Sequence, residues 1–224
     1  MADKIKLLPD AIANQIAAGE VIQRPASAVK ELLENAIDAG ATHIKVIIKG
    51  AGKTLVQIID NGCGMSETDA RMCFEKHATS KIQTAEDLFD IRTMGFRGEA
   101  LASIASIAQV EMRTRQHGDA LGTLLEIEGM KVTRQEPCQT PEGTSIAIRN
   151  LFFNVPARRN FLKSDPAELK NIIEEFTRIA LSYPSVGFQF YSNDYEMFHY
   201  RPGNLKQRIC AVFDDKYASQ IVQV

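Results

Sequence analysis

The sequence predicts an α+β fold in which helices cover one face of a largely antiparallel or mixed sheet. Two observations lead to this prediction. Strand-like runs rich in β-branched and aromatic residues follow one another in clusters. Helical patterns with one apolar side stand before and between these clusters. A doubly wound parallel fold needs regular alternation of strands and helices, so it is the less favoured alternative.

The first two predicted elements are helices. A helix over 11–19 has Asp10 as its cap and Gly19 as its end. A second helix follows Pro25 and stops at Gly40. The remaining predicted elements are a hairpin of strands 42–49 and 54–60, helices 67–76 and 98–108, strands 109–115, 121–129, 130–136 and 144–152, a short basic element 157–163, an amphipathic helix 166–183, strands 186–192 and 196–202, and a helix 205–213.

The composition is that of a globular protein, with 224 residues, 45% hydrophobic and 24% charged. The net charge of −2 argues against binding nucleic acid through net charge alone, although a local basic patch remains open. The four cysteines form no C-x-x-C pair, which indicates neither a zinc site nor a disulfide framework. The sequence has no signal-peptide pattern and no apolar run of about 18 residues. We expect a soluble cytoplasmic protein with no membrane partner.

The polar side of the second helix is unusual in its charge. Three carboxylates and one amide share an arc of roughly 100°, namely Glu31, Glu34, Asn35 and Asp38. Lys30 lies to the side, so the pattern predicts acids that lack a cation. Mg²⁺ prefers hard oxygen ligands, and Asn35 offers one; Glu31, one turn away, is placed to take a proton from a water that attacks a phosphate. The alternatives are a structural acid cluster with raised pKa values or an exposed face beside a partner.

Three short polar motifs suggest a ligand site, and each has a plainer interpretation. In DNGCGM, Asp60 precedes two glycines that either form a tight turn or let a ligand approach the backbone. In the stretch 93–101, two glycines precede a helix start, which suits an anion unless Glu99 is simply a first-turn cap. The stretch 77–81, HATSK, offers hydroxyls and a lysine to phosphate, or it is an ordinary helix end. The long loop between the last two motifs is typical of a lid, a binding loop or a disordered segment.

The order of these motifs resembles the Bergerat-fold ATPases of the GHKL group. The helix motif E-x-x-x-N-x-x-D-A-G is followed by D-x-G-x-G-M, HATSK, GFRGEAL and EGT. Within the group the match is close to the MutL mismatch-repair family, and it covers the chain from about residue 5 to 165. The resemblance implies a two-layer α/β sandwich in which ATP lies between helices and sheet. It also implies an ATPase domain over 1–203 and the start of a truncated second, transducer domain over 204–224.

The resemblance assigns a role to each candidate residue. Glu31 would be the general base, Asn35 the Mg²⁺ ligand and Asp60 the acceptor for the adenine amino group. The other ATP-binding residues would be Gly62, Gly64, Met65, Thr79, Ser80, Lys81, Gly95, Phe96, Arg97, Gly98 and Thr144. A lysine that reaches the terminal phosphate from the second domain would lie beyond Val224, so we expect weak hydrolysis.

The resemblance also implies partners. These are DNA, a MutS-type mismatch-recognition protein, an endonuclease and a helicase, together with an ATP-dependent homodimer formed through residues 1–23. The protein would be cytoplasmic, and nucleoid-associated in a bacterium. One alternative is a nucleotide-gated DNA- or partner-binding module with incidental hydrolysis, whose basic surface would comprise Arg158, Arg159 and Lys163 with Phe152, Phe153 and Phe161. Another is a different GHKL protein, such as a kinase or a topoisomerase subunit.

Overall fold

The computed structural model describes residues 7–213, except residues 83, 85, 90, 92 and 96. The helices in this part of the chain are α1 (Asp10–Val21), α2 (Pro25–Asp38), α3 (Glu67–Met72), α4 (Ala100–Ile107), α5 (Pro156–Asn160), α6 (Asp165–Ser182) and α7 (Leu205–Phe213). The strands are β1 (His43–Lys49), β2 (Leu55–Asp60), β3 (Gln109–Arg115), β4 (Gly122–Glu128), β5 (Lys131–Cys138), β6 (Gly143–Arg149), β7 (Gly187–Ser192) and β8 (Tyr195–Tyr200). Short 3₁₀ turns occupy Gly50–Gly52 and Glu86–Phe89.

The strands form one eight-stranded sheet in the order β5-β4-β3-β6-β2-β1-β7-β8. Strand β1 pairs with β7 in parallel, and the other neighbouring strands pair antiparallel. The predicted α+β class with a mixed, mostly antiparallel sheet is therefore confirmed. The β1–β2 pairing places Asp60 next to the start of β1, close to where α2 ends.

The core lies between the sheet and the helices. In β1, Ile44, Val46 and Ile48 alternate with less buried residues, so one face of the strand packs into the interior. Helix α2 packs against α6 and β2, and α1 packs against α4. The ring of Phe176 in α6 lies 4.9 Å from that of Phe190 in β7. This packing places α2 against β2, the strand that ends at Asp60.

Helices α1 and α3 have bounds other than the predicted ones, and Pro9 stands at the N-cap of α1 in place of Asp10. Helix α1 continues through Gly19 to Val21, since Gly19 does not adopt the positive φ of a helix-ending glycine. The guanidinium of Arg158 lies against Gly19, where a Cβ would be 2.9 Å from Arg158 Nη2. Helix α3 ends at Met72 and not at residue 76. Residues 73–77 form turns and a bend instead, and His77 has a left-handed φ of 61°. The chain therefore turns back towards α4 earlier than expected.

Helix α7 is attached to the rest of the fold by a buried arginine. The guanidinium of Arg208 donates to the carbonyl oxygens of Pro184, Val186 and Arg201 and lies 5.3 Å from the ring centroid of Phe188. The predicted domain boundary at residue 204 remains a prediction, and the part of the predicted second domain after residue 213 lies outside the described residues. Within the described part of the chain, none of the helices combines the length and apolar character that a membrane crossing requires.

Candidate functional site

The acidic side of α2 has cationic partners, contrary to the prediction from its sequence. Lys30 Nζ lies 2.7 Å from Glu34 Oε1 and 3.6 Å from Glu31 Oε1. Lys30 and Glu34 are four residues apart, so their side chains are neighbours on the helix surface. Glu34 is buried and paired, so it has a structural role. Glu31 is left as the less tightly paired carboxylate.

A second lysine reaches the end of the same helix from the loop after α3. Lys81 Nζ lies 2.6 Å from Asp38 Oδ2 and donates to Asn35 Oδ1 at 3.0 Å. Gly95 lies against this group, since a Cβ there would be 3.3 Å from Lys81 Nζ and 3.7 Å from Asn35 Oδ1. The fold thus brings the predicted site residues Asn35, Lys81 and Gly95 together.

The environment of the Glu31 carboxyl suits a general base. Burial raises the pKa of its carboxyl, and the ammonium of Lys30 acts in the opposite direction. A raised pKa makes the carboxylate a better proton acceptor near neutral pH. Glu31 stands one helical turn before Asn35, so both side chains face the same side of α2.

The turn after β2 forms the other side of the site. Burial raises the pKa of Asp60 to about 6, and backbone N–H groups of Gly62 and Thr144 act against that shift. Gly62 N donates to Asp60 Oδ1 at 2.8 Å. The carboxyl is therefore held in one orientation at the end of the strand. Its remaining acceptor capacity is available to a ligand.

Gly64 and Gly98 are required by close backbone approaches. Gly64 has φ of 67°, and a Cβ there would lie 2.0 Å from the carbonyl oxygen of Arg115. Gly98 has φ of 62°, and a Cβ would lie 2.5 Å from the carbonyl oxygen of Ala78. His77 N donates to the carbonyl of Gly98 at 3.1 Å. These contacts hold the DNGCGM turn on β3 and join the HATSK motif to the start of α4.

The remaining predicted site residues lie on these same loops. Thr79 Oγ1 accepts a hydrogen bond from Lys81 N at 3.1 Å, which shapes the turn before the lysine. Ser80 and Arg97 are exposed. Phe96 lies outside the described residues. The predicted set therefore falls into two groups, one around Asn35 and one around Asp60.

Thr114 connects the residues around Asp60, and no pattern in the sequence predicts this role. Its side chain is fully buried in β3, and Met65 N donates to its hydroxyl oxygen at 2.9 Å. The hydroxyl oxygen of Thr114 lies 3.0 Å from Thr144 Oγ1 and 3.2 Å from the carbonyl oxygen of Gly143. The hydroxyl can donate to either of these oxygens. A threonine in a strand is ordinary, so only the pairing of β3 with β6 identifies it.

We expect Thr114→Val to destabilise the fold and to weaken nucleotide binding. Valine keeps the shape but leaves the N–H of Met65 and the hydroxyl of Thr144 without their partner, which costs about 1–3 kcal/mol. Denaturant unfolding and nucleotide titration measure the two effects. Thr114→Ser is the control: it loses a methyl group but keeps the hydroxyl, so nucleotide affinity should stay near that of the unmutated chain. Equal loss of affinity in both variants would contradict the assigned role of the hydroxyl.

Two other surface features lie apart from this site. The basic surface is smaller than the sequence predicts. Phe152 is fully buried and Arg158 packs on Gly19. The exposed members are Arg159, Phe161 and Lys163. An open cleft of about 420 Å³ lies between α3 and β5. It contains none of the predicted site residues, so its location gives no support to a ligand there.

The oxygen of Asn35 fits a magnesium ion by its chemistry. It is a hard amide oxygen, and the structure places a cation, the ammonium of Lys81, 3.0 Å from it. Among the described residues, no group of three or more histidine, cysteine or carboxylate side chains is arranged to hold a metal ion. A metal at this position would thus take few protein ligands and complete its shell with phosphate and water, as Mg²⁺ does in nucleotide sites.

Comparison with known families assigns this fold and site to a class. Residues 23–153 match the family described as histidine kinase-, DNA gyrase B- and HSP90-like ATPase. The matched region begins just before α2 and ends after β6, so it contains both groups of site residues. The chain belongs to this family of ATPases.

Individual relatives define the group within the family. The chain is 61% identical over 224 residues to the DNA mismatch repair protein MutL of Flavobacterium psychrophilum and 60% identical to that of Bacteroides fragilis. The ATPase domain of Aquifex aeolicus MutL, solved in complex with ADP, matches 86% of this chain and 70% of its own with a TM-score of 0.70 and 32% identity. The chain is thus a MutL-type ATPase domain. It spans 36% of the length of each of the two full-length relatives.

Proposed function

We propose that this chain binds ATP together with Mg²⁺ and hydrolyses it slowly. One observation carries the proposal: α2 presents Glu31 and Asn35 on one side, and the loops of HATSK and Gly95 close against Asn35 through Lys81. The ADP complex of the Aquifex aeolicus relative supports a nucleotide as the ligand.

Each residue of the site has a separate role in the reaction. Asp60 accepts a hydrogen bond from the adenine amino group, and Thr144 and the DNGCGM turn hold it in place. Glu31 accepts the proton of a water molecule as that water attacks the terminal phosphate. Lys81 offers its ammonium to the phosphate oxygens. Mg²⁺, held by Asn35, would neutralise charge on the phosphates when bound.

ATP binding by this domain would serve a larger cycle in the whole protein. We propose that it drives dimerisation through residues 1–23 and that dimerisation gates the binding of DNA, a MutS-type protein, an endonuclease and a helicase. Supporting this, Ile12 and Ile16 lie one turn apart on α1 with about half of their surface exposed. The names of the relatives support mismatch repair as the setting. For DNA, the exposed group Arg159, Phe161 and Lys163 is a candidate contact, through backbone charge and base stacking.

The direct test measures ATP binding and phosphate release by the chain in the presence of Mg²⁺ and in the presence of a chelator. We expect one nucleotide per chain and slow, Mg²⁺-dependent release of phosphate. Nucleotide binding without any hydrolysis above background would instead favour a nucleotide-gated binding module. Absence of nucleotide binding in both conditions would overturn the proposal.

We predict that ATP affinity falls as the pH is lowered through about 6, the pKa of Asp60. Only the ionised carboxylate accepts the adenine amino hydrogen without competition from its own proton, so affinity should drop about tenfold per pH unit below that value. Asp60→Asn is the control. Titration of the ATP phosphates affects both chains equally, so it cancels in the ratio of their ATP affinities. A ratio of affinities that stays constant between pH 7 and pH 5 would contradict the assignment.

The raised pKa of Asp60 also makes the stability of the fold depend on pH. Stability should fall as the pH rises, whereas ATP affinity should increase. A carboxyl whose pKa is raised by folding stabilises the fold fully below its unfolded pKa of about 4, and this contribution is lost as the pH rises through about 6. As the pH rises from about 4 to about 6, the free energy of unfolding of the unmutated, ligand-free chain should therefore fall relative to that of Asp60→Asn. Denaturant titrations at pH 4.5 and 7 measure this difference.

A further inference from the structure

Asp38 gathers three hydrogen-bond donors from two separate loops. Its Oδ2 accepts from Lys81 Nζ at 2.6 Å and from Gly95 N at 3.2 Å, and its Oδ1 accepts from Met94 N at 3.0 Å. Lys81 precedes the long loop and Met94 stands near its end. One carboxylate at the last turn of α2 thus holds both sides of that loop.

The environment of Asp38 makes these contacts strong. Its side chain is 8% exposed and that of Lys81 is 20% exposed, so water screens the ion pair only weakly. Hydrogen bonds to an ionised acceptor are about twice as strong as neutral ones. Removal of one partner from such a pair leaves the other charge uncompensated, which is costly.

Asp38 also determines where Lys81 lies relative to Asn35. The ammonium bridges Asp38 Oδ2 and Asn35 Oδ1, so a protein cation lies against the oxygen that is assigned to Mg²⁺. If Asn35 held a metal, its oxygen would no longer accept the hydrogen bond from Lys81. The ion pair with Asp38 would still keep the ammonium beside the site, within reach of phosphate.

We propose that Asp38 is a positioning residue, which fixes Lys81 and the Met94–Gly95 backbone against the metal side of α2 before nucleotide binds. The role in nucleotide binding rests on the proposed function, whereas the contacts themselves do not. In this role Asp38 would contact neither the nucleotide nor the reacting water. It acts through Lys81 and through the loop backbone.

Hydrogen exchange tests the contacts without any ligand. In Asp38→Ala, the amides of Met94 and Gly95 should exchange about tenfold faster than in the unmutated chain, because their acceptor is gone. The matched control is Asp194→Asn, which weakens an exposed ion pair with Lys49, 2.8 Å long, at the opposite end of β1. Exchange of residues 94 and 95 should be unchanged in the control. Unchanged exchange in a folded Asp38→Ala chain would overturn the proposal.

Steady-state kinetics tests the consequence for the reaction. Asp38→Asn keeps the shape and one oxygen but loses the charge that pairs with Lys81, so the KM for ATP should rise about tenfold while kcat stays within about threefold. A large fall in kcat at unchanged KM would overturn the positioning role. If the unmutated chain bound no ATP, the proposed function would fail, and hydrogen exchange at residues 94 and 95 would still decide whether Asp38 holds this loop.

Discussion

Replacement of Glu31 by alanine should reduce phosphate release by roughly 10²- to 10⁴-fold, the usual contribution of a positioned general base. ATP affinity should stay within a few-fold of the unmutated chain, since Glu31 is assigned to the attacking water and not to the nucleotide. The reason lies in its environment: burial raises the pKa of its carboxyl, and its nearest cation, Lys30, is 3.6 Å away and is shared with Glu34. Single-turnover phosphate release and equilibrium binding measure the two quantities separately.

Two further variants sharpen this prediction. Glu31→Gln keeps the size and hydrogen-bonding capacity of the side chain but cannot accept a proton as a carboxylate does, so it should lose hydrolysis to a similar extent. Glu174→Ala removes a glutamate that forms a weak i,i+4 pair with Lys170, 3.9 Å apart, on the surface of α6, and it should hydrolyse ATP normally. Hydrolysis at the unmutated rate in Glu31→Ala would show that another group takes the proton.

Local patterns in the sequence predict most of the fold. Strand β3 and helix α7 have the predicted bounds, 109–115 and 205–213, because alternation and amphipathic spacing are strong there. The parallel pairing of β1 with β7 could not be predicted, since the two strands lie more than 130 residues apart and no local signal encodes their neighbourhood. Similarly, no local signal predicts that Arg158, distant in sequence, packs on Gly19 of α1.

The site shows the same division between local and distant information. Asn35 and Glu31 could be proposed from spacing on one helix, and Asp60 from its turn. The partner of Asp38 could not, because Lys81 lies 43 residues away on an irregular loop. Thr114 likewise has its role only through the register that sets β3 beside β6. Resemblance to a family supplied the roles, but the contacts that hold the residues in those roles come from tertiary structure.

Asn35→Ala should remove the dependence of ATP binding on Mg²⁺. In the unmutated chain we expect Mg²⁺ to tighten ATP binding by about 2–3 kcal/mol, or roughly 30- to 150-fold, relative to a chelator. Alanine has no oxygen to offer the metal, so the two affinities should become nearly equal in the variant. Calorimetric titration of ATP in both conditions gives the ratio directly.

The behaviour of Lys81 separates this effect from general damage to the site. Alanine at residue 35 also removes the 3.0 Å hydrogen bond from Lys81 Nζ, but Asp38 still pairs with the ammonium at 2.6 Å. ATP binding in the chelator should therefore change little, and the loss should appear only when Mg²⁺ is present. Asn160→Ala, on the exposed end of α5, is the control and should keep the full ratio. A loss of affinity of equal size with and without Mg²⁺ would mean that Asn35 contacts the nucleotide itself and that the metal is held elsewhere.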